Sequence, residues 1–138
     1  MKLPKGSRNL GQVFASASFP DVSGLQGEYL VDMLTVWPSF KRFHHRKVIY
    51  RENDMVKGHN VLFQRRWGHF FVEKGICGDP DAKGAAIINY DRPENSLPVR
   101  RIRDCIRWVG HDLYIGRFYF MVRGRMQFLG YFSLEKIK

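Results

Sequence analysis

Three long strand-like segments with very short connections occupy the last third of this chain. They run over Val99–Val109, Leu113–Val122 and Met126–Lys136, and the turns between them are 110–112 and 123–125. Segments of roughly ten residues joined so tightly are typical of an antiparallel meander. Alternate positions carry arginine, tyrosine and cysteine where a plain core would carry aliphatic side chains. This pattern favours a barrel with a polar-lined cavity.

Five further strand candidates precede the meander. They are Leu25–Met33, Phe43–Arg51, Met55–Gln64, Trp67–Ile76 and Gly84–Tyr90. No long amphipathic helix can be drawn, and residues 1–20 lack sustained periodicity, so we expect a flexible or loosely packed arm there. Eight consecutive strands with mostly short connections predict an all-β fold. Over residues 21–138 we expect an antiparallel up-and-down barrel, because closure removes exposed sheet edges.

Charge and length limit the partners that this chain can bind. Its 138 residues fit one domain, and its formal net charge of +10 favours an anionic partner. Between residues 97 and 125 lie seven arginines and no lysine: Arg100, Arg101, Arg103, Arg107, Arg117, Arg123 and Arg125. The guanidinium fork suits carboxylates and phosphates, so the cluster indicates anion recognition. The alternative is a solvated outer face of the barrel.

The cysteines and the apolar segments bear on the compartment. Cys77 and Cys105 lie in separate predicted segments, and we expect two free thiols in a reducing compartment. No apolar run approaches the length of a membrane span, and the first residues lack the apolar segment of a signal peptide. These features predict a cytoplasmic protein.

The first and the last predicted strands resemble those of a known protein family. Eight strands, a first strand with Gly27-Glu28-Tyr29 and a last strand ending in Gly130–Glu135 resemble the calycin group, the lipocalins and their small bacterial relatives. In that group the first strand carries Gly-x-Trp, whose ring closes the barrel under an arginine. The resemblance implies that Tyr29 replaces this tryptophan and that Arg123 or Arg125 is its partner.

A second likeness concerns the seventh strand. Arg117-Phe118-Tyr119 is similar to the Arg-x-Tyr with which the related fatty-acid-binding proteins hold a lipid carboxylate. If their face is interior, Arg117 and Tyr119 would bind an acidic head group. The alternative turns the other face inward, with Tyr114, Phe118 and Phe120, and points Arg117 to water. Those relatives also insert two helices after the first strand, for which 35–42 is too short, so the simpler lipocalin-like barrel is favoured.

The histidines raise the question of a metal or haem. They are His44, His45, His59, His69 and His111. No His-x-His or His-Glu-x-x-His is present, so no metal site is predicted. His44 and His45 face opposite sides of a strand, so at most one points inward. His69, on the predicted face of Trp67, is the candidate for lining a cavity and the imidazole that a haem would need; an ordinary half-buried histidine is the alternative.

Catalytic motifs give little support to an enzyme. The chain has no Gly-x-Ser-x-Gly, no phosphate-binding loop and no dinucleotide-binding glycine pattern. Asp104 and Glu73 are an acid and a base that could work in a cavity, but nothing in the sequence brings them together.

The predicted function is therefore the binding of a small apolar or amphipathic ligand, expected to be anionic, in an aromatic-lined cavity. The candidate ligand-binding residues are Arg117, Tyr119, Arg101, Arg103, His69, Trp67 and Tyr29. One alternative is a nucleic-acid-binding barrel, in which exposed arginines contact phosphates and Trp67, Trp108 or Tyr114 stack on bases. Against it, the tryptophans lie in well-patterned strands and are expected to be buried. An enzyme acting inside the cavity is the third possibility.

Overall fold

Eight antiparallel strands form a closed barrel in the computed structural model, which describes residues 3–4, 6–35, 45–77 and 84–138. The strands are β1 (Gly27–Met33), β2 (Arg46–Glu52), β3 (Met55–Leu62), β4 (Arg65–Ile76), β5 (Gly84–Asn89), β6 (Ile102–Gly110), β7 (Leu113–Val122) and β8 (Arg125–Lys136). Each strand pairs with the next, and β8 pairs with β1. The predicted up-and-down barrel is confirmed. His44 and most of the expected loop 77–83 lie outside the described residues.

Short helical segments lie beside two of the strands. A 3₁₀ helix at Val22–Gly24 precedes β1, and α2 (Leu97–Arg100) precedes β6. The sixth strand therefore begins at Ile102 and not at Val99 as expected. Pro98 lies in the first turn of α2, where its fixed φ favours a helix start and its missing N–H costs nothing.

The N-terminal segment is helical and docked over part of its length. Helix α1 (Ser7–Ser16) contacts β7 and β8, and its Leu10 and Phe14, four residues apart on one face, have no exposed surface. Beyond the helix, the backbone of Ser18 exchanges two hydrogen bonds with that of Trp108. The expectation of a loose arm is therefore corrected over this range. The helix has only 10 residues, which is too short for a sustained apolar periodicity in the sequence.

The barrel wall separates two apolar cores. The inner core lies inside the barrel and includes Tyr29, Val31, Ile49, Phe70, Ile88, Tyr90, Ile106, Phe132 and Leu134. The outer core lies between the barrel and α1 and includes Leu10, Phe14, Cys77, Ala85, Cys105, Ile115, Tyr119 and Tyr131. Alternation along β6 and β7 supplies both cores, because neighbouring side chains point to opposite faces of a strand.

Cys77 and Cys105 form a disulfide in the outer core, with their Cα atoms 6.2 Å apart. The expectation of two free thiols is therefore wrong. Cys77 directly follows β4 and Cys105 lies on β6, with β5 paired between these two strands. This neighbourhood could not be read from the sequence. Separately, no helix in the described part of the chain has the length and apolar character to cross a bilayer.

Candidate ligand-binding cavity

A cavity of about 200 Å³ lies inside the barrel. Most of its wall is apolar: Val31, Met33, Trp67, Ile102, Phe118 and Phe132. Four polar side chains share the lining, namely His45, Lys47, Tyr90 and Asp104. An apolar pocket with a few convergent polar groups is the usual form of a small-molecule site.

These four polar side chains are joined by Asn60, which is not part of the lining, in one hydrogen-bonded group. We call this group the polar cluster: His45, Lys47, Asn60, Tyr90 and Asp104. The Lys47 ammonium donates to Asn60 Oδ1 at 2.7 Å and to the Tyr90 hydroxyl, and it lies 3.4 Å from Asp104 Oδ2. The Tyr90 hydroxyl donates to Asp104 Oδ2 at 3.2 Å. Asn60 Nδ2 donates to the Tyr90 hydroxyl and to the Gly68 carbonyl. These partners satisfy groups whose burial alone would be costly.

Lys47 and Asp104 are an ion pair inside the barrel, with side-chain exposures of 4% and 6%. Burial lowers the pKa of Lys47, and the carboxylate of Asp104 offsets part of that change. Burial also raises the pKa of Asp104, against the effect of Lys47. The two pKa values therefore approach each other, and moving a proton from Lys47 to Asp104 costs less free energy than it would in water.

His45 joins the polar cluster as a neutral imidazole. Its Nε2 lies 3.0 Å from Asn60 Oδ1, and its ring lies 5.6 Å from that of Trp67. Burial and the charge of Lys47 lower the pKa of His45 to about 4, although the hydrogen bond with Asn60 opposes this. At neutral pH the Lys47 cation of the cavity is paired with Asp104, and His45 adds no charge.

A bulge in β4 decides which aromatic and histidine side chains enter the cavity. The register between β3 and β4 shifts so that Trp67 pairs with Asn60 while Phe70 pairs with Gly58, which adds one residue to β4. Gly68 adopts a positive φ of 59° at this point. Trp67 and Phe70 therefore both face inward, three residues apart. Trp67, one of the candidate ligand-binding residues, therefore lines the cavity.

The same bulge turns His69 outward, so the prediction that it lines the cavity is wrong. His69 lies beside an outer groove shared with Tyr50, Glu52 and Glu94. Its backbone N–H donates to Asn95 Oδ1 and its carbonyl accepts from Asn95 Nδ2. The histidine that lines the cavity is instead His45, one of two neighbours of which at most one was expected to point inward.

Arg117 and Tyr119 lie in the outer core and not in the cavity. The Arg117 guanidinium is stacked on the ring of Phe128, 4.1 Å from its centroid, and also lies near Tyr131 and Phe14. Tyr119 is 1% exposed beneath α1. The alternation of β7 places Phe118 inward, with Tyr114 on the same face. The Arg-x-Tyr hypothesis is therefore corrected, and its alternative is right for Tyr114 and Phe118.

The other arginines of the cluster also lie away from the cavity. Arg101 is exposed at the end of α2, and the Arg103 guanidinium donates to the backbone carbonyls of Arg100 and Ile102. Arg107 is fully buried in the wall beneath α1. Arg101, Arg103, Arg107 and Arg117 thus lie in four different environments and do not form one anion-binding group. Trp108, expected to be buried, is 41% exposed, and its indole N–H donates to the His111 carbonyl.

Tyr29 belongs to the inner core, outside the cavity lining. It has no exposed surface, and its hydroxyl donates to the Leu25 carbonyl at 2.6 Å. Its ring meets that of Tyr114 edge to face. The cation nearest to its ring is Lys136, which pairs with Tyr29 across β1 and β8. Arg123 and Arg125, the expected partners, lie at the opposite end of β8.

Sequence reasoning missed most of the polar cluster. Lys47, Asn60 and Tyr90 were not singled out, and Asp104 was considered only with Glu73, which is exposed on the outside of β4. One signal was present: Asp104 shares its strand face with Ile102 and Ile106, where an unpaired carboxylate would not be tolerated. Such a residue requires a cation from another strand, and Lys47 supplies it.

Metal and haem chemistry do not fit this cavity. Within the described residues, no group of three or more histidine, cysteine or acidic side chains could hold a metal ion. His45 is the imidazole in the cavity, and its Nε2 is hydrogen-bonded to Asn60. The volume of about 200 Å³ lies below the roughly 300–1,000 Å³ of typical cofactor and drug-sized sites.

Comparisons with known proteins add no family. No protein-family model, no curated protein and no solved structure matches the chain.

Proposed function

We propose that this protein binds a small, largely apolar ligand with one neutral hydrogen-bonding group inside the barrel. The observation that carries the proposal is the cavity itself, in which apolar walls surround a single polar cluster. Burial of the apolar part of the ligand supplies the driving force, and the cluster orients its polar group. A volume of about 200 Å³ suits one substituted ring or a short chain, since an apolar cavity of about 150 Å³ accommodates benzene.

The charge balance favours a neutral polar group over the anion expected from the arginines. Lys47 already faces the carboxylate of Asp104, so a ligand carboxylate would bring a second negative charge to the same cation. A carbonyl or hydroxyl group adds no charge. The indole Nε1 of Trp67 adds a buried donor with no acceptor among the described residues, which also favours a ligand with an acceptor atom.

We also propose a calycin-like relationship, which the eight-stranded up-and-down topology supports. A cytoplasmic location is supported by the sequence features alone, and the Cys77–Cys105 disulfide weighs against it, because disulfides rarely persist in the cytosol.

The test uses benzyl alcohol as the probe and NMR chemical shifts as the readout. We expect saturable shifts at the Trp67 indole N–H and at Phe118, and loss of these shifts in Met33→Trp, which fills the cavity. Leu129→Trp, at a position 49% exposed on β8, is the matched control and should bind like the parent chain.

Shifts that persist in Met33→Trp would contradict the proposal. Single-stranded DNA binding that survives about 200 mM salt, without probe binding, would favour the nucleic-acid alternative.

A further inference from the structure

The amine of Lys47 is placed to react as well as to bind. We infer that Lys47 captures small apolar aldehydes as an imine inside the cavity. This inference rests on the proposed binding function and names its ligand class: a carbonyl compound whose apolar part fits the walls.

The geometry gives Lys47 the surroundings that such a reaction needs. Its side chain is 4% exposed and lines the cavity with Phe132 and Trp67. Its Nζ is fixed by Asn60 and Tyr90, so the direction of the amine is set before a ligand arrives. A lysine in an apolar pocket is a nucleophile that enzymes use against carbonyl carbons, because its neutral form is favoured there.

A proton acceptor lies beside the amine. Asp104 Oδ2 is 3.4 Å from Nζ. Burial lowers the pKa of Lys47 and raises that of Asp104, and both changes favour transfer of one ammonium proton to the carboxylate. The nitrogen lone pair needed for attack is thus available without an external base.

The same cluster holds a donor for the carbonyl oxygen. The Tyr90 hydroxyl lines the cavity next to Lys47. Its pKa is raised well above the ordinary value, first by burial and then by the charge of Asp104, so the hydroxyl keeps its proton at neutral pH. In the resting cluster this O–H donates to Asp104 Oδ2, and once Asp104 has taken a proton from Lys47 the O–H is released to donate to a carbonyl that approaches the amine.

The reaction balances with the residues present. Lys47 gives one ammonium proton to Asp104, its lone pair forms a bond to the carbonyl carbon, and the oxygen takes the proton from Asp104. Asp104 then removes a second proton from the nitrogen and returns it to the hydroxyl. The C–O bond breaks as water leaves. Two of the three ammonium protons end in water, one stays on the imine nitrogen, and the carboxylate again faces a cation.

The experiment treats the purified chain with benzaldehyde and sodium cyanoborohydride at neutral pH. Reduction fixes the imine as a benzylamine, and peptide mapping identifies the labelled lysine. We expect one benzyl group on Lys47, attached about tenfold faster than on exposed Lys74, because the cavity concentrates and orients the aldehyde. Benzyl alcohol has the same shape but forms no imine, so it should compete. Lys47→Arg keeps the cation beside Asp104 and should lose the label.

Each outcome decides between the two proposals. Equal labelling of exposed lysines, or labelling that benzyl alcohol does not slow, overturns covalent capture. Shifts with benzyl alcohol but no label on Lys47 overturn capture and leave the binding function standing. If benzyl alcohol causes no chemical-shift changes and Lys47 gains no label, both proposals are overturned. Mapping on the parent chain needs no variant, so a folding defect in Lys47→Arg does not affect the result.

Discussion

A buried cation lies in the inner core and another in the outer core, and these two are held in different ways. Inside the barrel, Lys47 faces a carboxylate, an amide and a phenol. Outside it, the guanidinium of Arg107 donates to the backbone carbonyls of Phe14 and Gly84 and lies 4.2 Å from the Phe14 ring centroid.

This difference separates a reactive group from a structural one. The planar guanidinium of Arg107 is a set of hydrogen-bond donors that joins α1 to the barrel. Lysine changes its protonation readily when buried, and Lys47 has a proton acceptor beside it. Three predictions test this contrast.

The largest effect is expected when Lys47 loses its counter-charge. Asp104→Asn should lower the free energy of unfolding by about 3–5 kcal/mol, because it leaves a buried ammonium without its carboxylate. Urea unfolding followed by fluorescence measures the change. The double variant Lys47→Met with Asp104→Leu should recover most of the loss, since an apolar pair leaves no unpaired charge. If the Asp104→Asn variant is as stable as the parent, the ion pair does not stabilise the inner core.

Acid should weaken the inner core through His45. Its pKa is about 4 in the folded chain against the usual 6.5, so the unfolded chain binds a proton first as the pH falls. Stability is therefore full above pH 6.5 and declines down to about pH 4, by up to about 3 kcal/mol. Urea midpoints across this range should show a shallower decline in His45→Gln. The exposed His111→Asn serves as the control, and an equal slope in His45→Gln would refute the assignment.

The smallest effect is expected in the outer core. Arg107→Met should lower the free energy of unfolding by about 1–3 kcal/mol, because it removes the donors to two backbone carbonyls. Hydrogen exchange should rise in α1, while benzyl alcohol should bind the cavity as before. Arg8→Met, at an exposed position on the same helix, should change neither property. Weaker cavity binding in Arg107→Met would show that the two regions are coupled.

The strands and turns could be predicted because their signals are local. Leu113–Val122 was predicted with its observed bounds, and the other strands were displaced by at most a few residues at either end. Apolar alternation and turn residues act over a few positions, so one sequence is enough to recognise them.

The site could not be predicted to the same extent, for two physical reasons. The bulge at Gly68 changes the face of every later residue in β4, so a correct strand still gave a wrong orientation for His69. The pairing of Lys47 with Asp104 joins β2 to β6, which are not hydrogen-bonded neighbours. Only the closed barrel brings these strands to face one another.

The pairing of β1 with β8 also sets the order in which the molecule can assemble. Every other strand pairs with its neighbour in sequence, whereas Tyr29 must meet Lys136 across almost the whole chain. Hairpins form within microseconds. Bringing Tyr29 to Lys136 closes a much longer loop, and its entropic cost comes before the contacts between β1 and β8 can offset it. The barrel therefore closes after its hairpins have formed, and during synthesis it cannot close until β8 has left the ribosome. Until that moment the cavity has no complete wall, so the proposed binding requires the closed barrel.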